Sequence, residues 1–190
     1  MFKRTEVLLT VVENLQNNQC IVSQLGRVSR DLYSFTAGCR NQCFYLVGAM
    51  GSVIPLSLGI SLAKPEISVL GIEGDGSLLM NMGALITLKR YSQGNVSILL
   101  LDNNIYESTG GQISQPENLK LEEIIKATGI KTAVANSKTD IAQFVKSALE
   151  ADTGSKILLI KTITEPPAIR IADHPKKIAQ RFTEWLNKNK

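Results

Sequence analysis

The feature that most limits what this chain can fold into is its alternation of short apolar runs with longer segments of helical periodicity. Six runs read as strands: "CIVSQL" (20 to 25), "CFYLV" (43 to 47), "EISVLGIE" (66 to 73), "NVSILLLD" (95 to 102), "KTAVA" (131 to 135) and "KILLIKTI" (156 to 163). Between and around them the pattern predicts helices near 2 to 16, 28 to 35, 50 to 63, 77 to 91, 119 to 128, 138 to 150 and 175 to 187. Strands separated by helices in this way imply a parallel sheet covered on both faces. The expectation is α/β: a three-layer sandwich with a mostly parallel, doubly wound sheet of about six strands. With 190 residues, 44% of them hydrophobic, the chain carries one well-covered core, so residues 1 to 190 read as one domain. Pro55 falls inside the third helix, which must begin late or kink. Residues 103 to 118 have no clear period, and a long loop after a strand is more often functional than accidental.

Several chemistries are excluded early. His174 is the only histidine and lies in loop-like "ADHPKK", which argues against Ser-His-Asp, Cys-His and histidine-rich metal sites within the chain. The three cysteines, Cys20, Cys39 and Cys43, contain no C-x-x-C pair, so neither a disulfide framework nor an iron-sulfur or zinc site is expected. A reduced, cytoplasmic setting follows. The net charge of +4, from 21 basic and 17 acidic residues, is a mild bias without a dense basic patch, so nucleic acid is not an expected partner. Glu6 and Glu13 interrupt the apolar start, which resembles an amphipathic helix rather than a signal peptide, and no membrane span is expected.

In an open parallel sheet, ligands sit beyond the carboxyl ends of the strands. Four segments hold that position: "GRVS", "GAMG", "GDGS" and "DNNIYESTGGQ". Asp75, between Gly74 and Gly76, stands where a glycine loop would ordinarily cradle a phosphate. A carboxylate about 4 Å from a diphosphate costs roughly 1 kcal/mol per charge pair in water and about 4 at an effective dielectric of 20. A divalent cation between them reverses that sign. Magnesium takes oxygen ligands in an octahedron, and the neighbouring strand end offers the Asn103 side-chain oxygen and the Ile105 carbonyl beside Asp75.

These residues carry a resemblance. GDG, twenty-five residues and then "DNNIY" is similar to the diphosphate and magnesium motif of thiamine diphosphate enzymes, a GDG separated from NN by some two dozen residues. Asp102 stands at the first asparagine, so the resemblance puts the magnesium ligands on Asp75, Asn103 and Ile105, with Tyr106 beside the cofactor. "FYLVGAMGSVIPLSLGISLA" resembles the loop whose backbone carbonyl, here that of Gly48, takes the cofactor's 4′-amino hydrogen bond. Met50 then wedges between the two cofactor rings. Ordinary core filling is the plain alternative for a methionine, but Gly48 and Gly51 flank this one, where backbone can approach a ligand. "SQLGRVSRDLY" resembles the phosphate-side loop, with Gly26 at the turn; Arg27 is placed to pair with phosphate or substrate, a solvated arginine being the alternative. The remaining cofactor-binding candidates are Gly74, Gly76 and Ser77.

"STGGQ" at 108 to 112 and the C-terminal "HPKKIAQRF" resemble sulfopyruvate and phosphonopyruvate decarboxylases over nearly the whole chain. The resemblance implies loss of carbon dioxide from a 2-oxo acid that bears an anionic group on C3. Met50 and Thr109 are the catalytic candidates, with Ser108 and Gln112 beside Thr109 in the substrate wall. Glu107 departs from these relatives, which usually resemble glycine there. A carboxylate facing the pocket would repel the substrate, so either Glu107 points away or the substrate differs.

The glutamate that such enzymes place on the aminopyrimidine belongs, by resemblance, to a pyrimidine-binding domain, and nothing in this chain looks like one. The implied assembly is a homodimer or hetero-oligomer in which a pyrimidine-binding, alpha-type subunit supplies that glutamate. The alternatives are another thiamine diphosphate enzyme subunit, which would be expected to show cluster-binding cysteines if it were a ferredoxin oxidoreductase component; a nicotinamide dehydrogenase, which leaves Asp75 unexplained; and a non-catalytic module of the same fold.

Overall fold

The computed structural model describes residues 1 to 148, 154 to 166 and 169 to 189. Its main sheet is parallel. The strands are β1 (Phe2–Lys3), β2 (Gln19–Ser23), β3 (Cys43–Tyr45), β4 (Ser68–Gly74), β5 (Val96–Asp102), β8 (Lys131–Val134) and β9 (Lys156–Ile163). Their spatial order is β3-β2-β4-β5-β9, and β9 pairs on its far side with β8 through its first half and with β1 through its end. The six sequence-predicted strands are all present, each within a few residues of its predicted bounds. The seventh, β1, takes the first two residues predicted as helix; Phe2 pairs with Thr162 and Lys3 with Ile163.

Strand residues alternate between two cores, as a two-residue period requires. Val22, Val69, Ile98, Leu100 and Leu159 face one, and Ile21, Leu70, Ile72, Leu99 and Ile160 face the other. Helices α3 (Val53–Ala63), α5 (Gly83–Tyr91) and α6 (Leu121–Ala127) cover the first face. Helices α1 (Arg4–Asn14), α2 (Arg27–Phe35) and α7 (Lys138–Ser147) cover the second. Helix α8 (Pro175–Lys188) closes the β3 edge, where Phe182 meets Phe44 edge to face at 5.5 Å. His174 caps it, its Nδ1 accepting from the Lys176 N–H, which agrees with a surface role for the lone histidine. Positions 149 and 150 of the sixth predicted helix lie outside the described residues.

Two predicted helices are corrected. The third starts at Val53, so Pro55 sits in its first turn, where an N–H has no helical partner to lose. The helix predicted over 77 to 91 is two, α4 (Asp75–Met80) and α5, broken at Asn81 and Met82. Asn81 is drawn out of helical conformation (φ −146°, ψ 53°), and its side-chain amide donates to the Gly51 carbonyl at 2.9 Å. The predicted loop after β5 also holds a short antiparallel hairpin, β6 (Ile105–Tyr106) with β7 (Gln112–Ile113).

From β2 the chain goes first outward to β3 and then returns to the other side of β2 as β4. That reversal opens a crevice beyond the ends of β2 and β4, the place where doubly wound sheets receive ligands.

Candidate cofactor site

A cleft occupies that crevice, lined by residues 24, 25, 27 and 28 after β2, Met50, residues 74 to 77, Leu101, Asn103, residues 105 to 109, and Arg4 and Thr162 beside them. Of the predicted residues, Arg27, Met50, Gly74, Asp75, Gly76, Ser77, Asn103, Ile105, Tyr106, Ser108 and Thr109 line it together. Three lie off its wall. Gly26 caps α2 with φ 79° and backs onto Ser108, Gly48 is on the exposed rim, and Gln112 is exposed on the hairpin, bonded to Thr109.

Asp75 is 2% exposed at the start of α4. Its carboxylate accepts from the Ser114 hydroxyl, and the backbone N–H groups of Gly76 and Asn103 lie near enough to favour its charged form. Burial raises its pKa, the hydrogen bonds opposing that shift. The β4 and β5 tips run side by side, Gly74 opposite Leu101, which brings the Asn103 backbone close to Asp75. The Asn103 Oδ1 accepts from the Ile105 N–H at 3.2 Å, which leaves it a second lone pair. A buried carboxylate whose charged form is disfavoured, next to a neutral amide oxygen, is a donor set that fits a hard divalent cation.

Asp102, which replaces the usual asparagine, is an anchor. Its buried carboxylate accepts from Lys161, from the Gln115 amide at 3.0 Å and from the Asn104 N–H at 3.2 Å. It thereby stabilises the turn in which Asn104 takes φ 60° and Asn103 is presented to the cleft.

The glycines are explained by close approach. A Cβ on Gly76 would stand 2.5 Å from the Tyr106 ring, and one on Gly74 would stand 2.6 Å from the Gln24 amide. Gly51 has φ 76°, and its N–H donates to the Ser77 hydroxyl oxygen at 2.8 Å. Glu73, 1% exposed behind Ser77, is pushed up to about 7 by burial, with the nearby Ser77 hydroxyl and the Gly74 and Val53 N–H groups opposing that shift; one carboxylate oxygen accepts from the Gly74 N–H at 3.2 Å and the other has no partner among the described residues. Sequence reasoning missed Glu73, a carboxyl buried at the end of β4 beside Ser77. In addition to any ligand contact, Ser77 therefore holds the loop that carries Met50.

Glu107 faces arginines. It accepts from Arg4 at 2.7 Å and from Arg27 at 3.0 Å, so its charge is balanced within the wall. The bare repulsion expected of a carboxylate here is thus removed by a partner, Arg4, that sequence reasoning did not pick out. A signal existed: α1 precedes β2 and runs antiparallel to it, which brings the start of the helix over the strand ends.

The profile of the thiamine pyrophosphate enzyme, C-terminal TPP binding domain, matches residues 22–160. Sulfopyruvate decarboxylase subunit beta of Methanocaldococcus jannaschii is 34% identical over 189 residues, covering 98% of each chain. Phosphonopyruvate decarboxylase of Streptomyces hygroscopicus is also 34% identical, over 96% of this chain and 45% of that protein, so the chain spans less than half of that relative. Among solved structures, the thiamine diphosphate-dependent 4-hydroxybenzoylformate decarboxylase of Rhodococcus jostii RHA1 shares the fold at a TM-score of 0.71 and 20% identity, over 86% of this chain and 33% of the other. The crevice at the β2/β4 reversal, the acidic seat at its floor and these matches agree: the chain belongs to the thiamine pyrophosphate enzymes, as their C-terminal TPP-binding domain, beside the sulfopyruvate and phosphonopyruvate decarboxylases.

Proposed function

We propose that this chain is the diphosphate-binding subunit of a thiamine diphosphate-dependent 2-oxo acid decarboxylase whose substrate is sulfopyruvate, converted to sulfoacetaldehyde and carbon dioxide. The observation that carries this reading is the buried Asp75 carboxylate beside Asn103 at the floor of a cleft walled by Met50. Asp75 and the Asn103 side-chain oxygen would hold Mg²⁺, with the Ile105 carbonyl as a third donor. Gly74 and Gly76 keep the backbone open where the diphosphate would rest, and Gly26, Arg27 and Ser77 border it. Bound thiamine diphosphate supplies the nucleophilic carbon and the electron sink for decarboxylation.

The chain's own part is to place and shield. Met50 stands on a loop fixed from two sides, by Ser77 on the Gly51 N–H and by Asn81 on the Gly51 carbonyl, so its side chain is presented in one position before reaction. Tyr106 closes over Gly76 and keeps water from the cleft floor. Thr109 and Ser108 line the mouth as hydroxyls within reach of a substrate carboxylate.

A pyrimidine-binding companion chain supplies the glutamate for the aminopyrimidine. Three exposed apolar side chains support a protein seated over the site: Val47 before the Met50 loop, Met80 at the end of α4 and Ile113 on the hairpin. Three cysteines without a disulfide fit a reducing, cytoplasmic compartment. Among the described residues, no helix is long and apolar enough to cross a membrane. The test is to co-express the chain with its companion and assay carbon dioxide release from sulfopyruvate, phosphonopyruvate and pyruvate. Sulfopyruvate should be turned over fastest; a clear preference for phosphonopyruvate, or no release from any of the three, would overturn the substrate assignment.

A further inference from the structure

Arg4 is the most completely buried cation at the site, 3% exposed, yet its guanidinium is only partly used. Its Nε donates to Asp31 at 2.6 Å and its Nη1 to Glu107 at 2.7 Å, while Nη2 has no partner among the described residues. Arg27 presents a second fork that is also partly used. Its Nη1 donates to Glu107 at 3.0 Å and to the Glu165 carbonyl at 2.6 Å; the rest of its guanidinium is uncommitted and the side chain is one-quarter exposed. Both arginines line the cleft, next to Ser108 and Thr109.

Glu107 joins the two forks. One carboxylate oxygen takes Arg4 and the other takes Arg27, so the guanidinium groups are held side by side and cannot turn to solvent independently. Asp31 and Glu107 balance the two positive charges, and the Glu165 carboxylate, bonded to Thr5, also acts on Asp31. What remains is a set of unused N–H donors in a wall with no excess positive charge. Such a wall does not attract anions over a distance; it selects a group with several acceptor oxygens that fit the fork directions at contact. A tetrahedral oxyanion has that shape, and a carbonyl or methyl group does not.

We propose that Arg4 and Arg27, held by Glu107, form a subsite for a tetrahedral oxyanion in the cleft, and that the group it takes is the anionic substituent on C3 of the 2-oxo acid. The second half rests on the function proposed above. The phosphate end of the cofactor carries the same oxyanion chemistry and is the other source of such a ligand; the two are separated by experiment.

The test uses the assembled enzyme with its companion chain, as wild type, Arg4→Lys and Arg27→Met. Lysine keeps a charge for Asp31 and Glu107 but lacks the second donor edge, so Arg4→Lys retains the buried pairing that a larger truncation would break. Binding of sulfoacetate, a sulfonated acid without a 2-oxo group, is measured by calorimetry alongside that of thiamine diphosphate with Mg²⁺. The expected result is a sulfoacetate affinity at least tenfold weaker in both variants and, in Arg4→Lys, a thiamine diphosphate affinity within twofold of wild type. In turnover, the sulfopyruvate to pyruvate ratio of kcat/KM should fall at least tenfold, through KM. A loss confined to thiamine diphosphate would assign the forks to the cofactor and overturn the proposal. Equal losses for both acids with a lowered Tm, or unchanged sulfoacetate binding, would reduce Arg4 to a structural ion pair and overturn it too. If wild type binds sulfoacetate through these arginines but decarboxylates nothing, the subsite stands and the proposed function fails.

Discussion

Replacing Asn103 by alanine removes a neutral oxygen beside Asp75 and leaves the backbone of the turn in place, so the fold should persist while Mg²⁺-dependent cofactor binding weakens at least tenfold in a calorimetric titration. Gly76 makes a steric prediction. An added Cβ would press on the Tyr106 ring at 2.5 and 2.7 Å, so Gly76→Ala should destabilise the chain by about 1 to 3 kcal/mol in urea unfolding. In a Tyr106→Ala background most of that cost should vanish; simple additivity would show that the two residues do not meet. Cys39 gives a pH reading. A hydrogen bond from the Cys43 thiol is the main cause that lowers its pKa to about 7, with Arg40 also favouring the thiolate. Because the thiolate is the nucleophile, alkylation by iodoacetamide should rise with pH and reach half its maximum near 7, shifting upward in Cys43→Ala. Much at this scale was legible in the sequence. Asp75 is conspicuous because a carboxylate between glycines needs an explanation, whereas Arg4 and Ser114 reach the cleft only through tertiary folding, from positions 71 residues before and 39 residues after Asp75.

The elements were legible wherever one physical signal dominated. β4 and β5 are buried along their whole length, and their apolar runs predicted them. The break between α4 and α5 was not legible, because the apolar period continues across it; what interrupts the helix is the Asn81 bond to Gly51, thirty residues away in sequence. β1 was hidden for a similar reason, as two residues acquire strand character only by pairing with the end of β9. Glu73, buried at the end of β4, makes a stability prediction. Its pKa in the fold is about 7 against 4.5 for the ordinary side chain, so between those values the folded state keeps a proton that the unfolded chain releases. Stability therefore falls as pH rises through that window and is level above it, by about 3 kcal/mol from this group alone. Glu73→Gln mimics the protonated acid and should remove that slope in urea unfolding of the metal-free protein. A slope unchanged by the substitution would show that Glu73 is not its source.

At the scale of the whole molecule, the parallel sheet with its reversal at β2 places four strand-end loops around one crevice, and that much follows from the alternation of strands and helices. The balance of charge inside the crevice does not follow from it. Glu107 reads as an obstacle until α1 and α2 are folded back to bring Arg4 and Arg27 onto it. The proposed division of labour predicts that the isolated chain releases no carbon dioxide from sulfopyruvate and that mixing with the companion restores release; robust turnover by the single chain would end the two-subunit reading. The proposed function rests throughout on a divalent ion held between the tips of β4 and β5. The most direct test is the Tm of the assembled protein with thiamine diphosphate, in the presence of Mg²⁺ and of a chelator, for wild type and Asp75→Asn. A rise that needs both cofactor and metal, and is absent in Asp75→Asn, is the predicted result; the same rise in chelator, or in the variant, would contradict it.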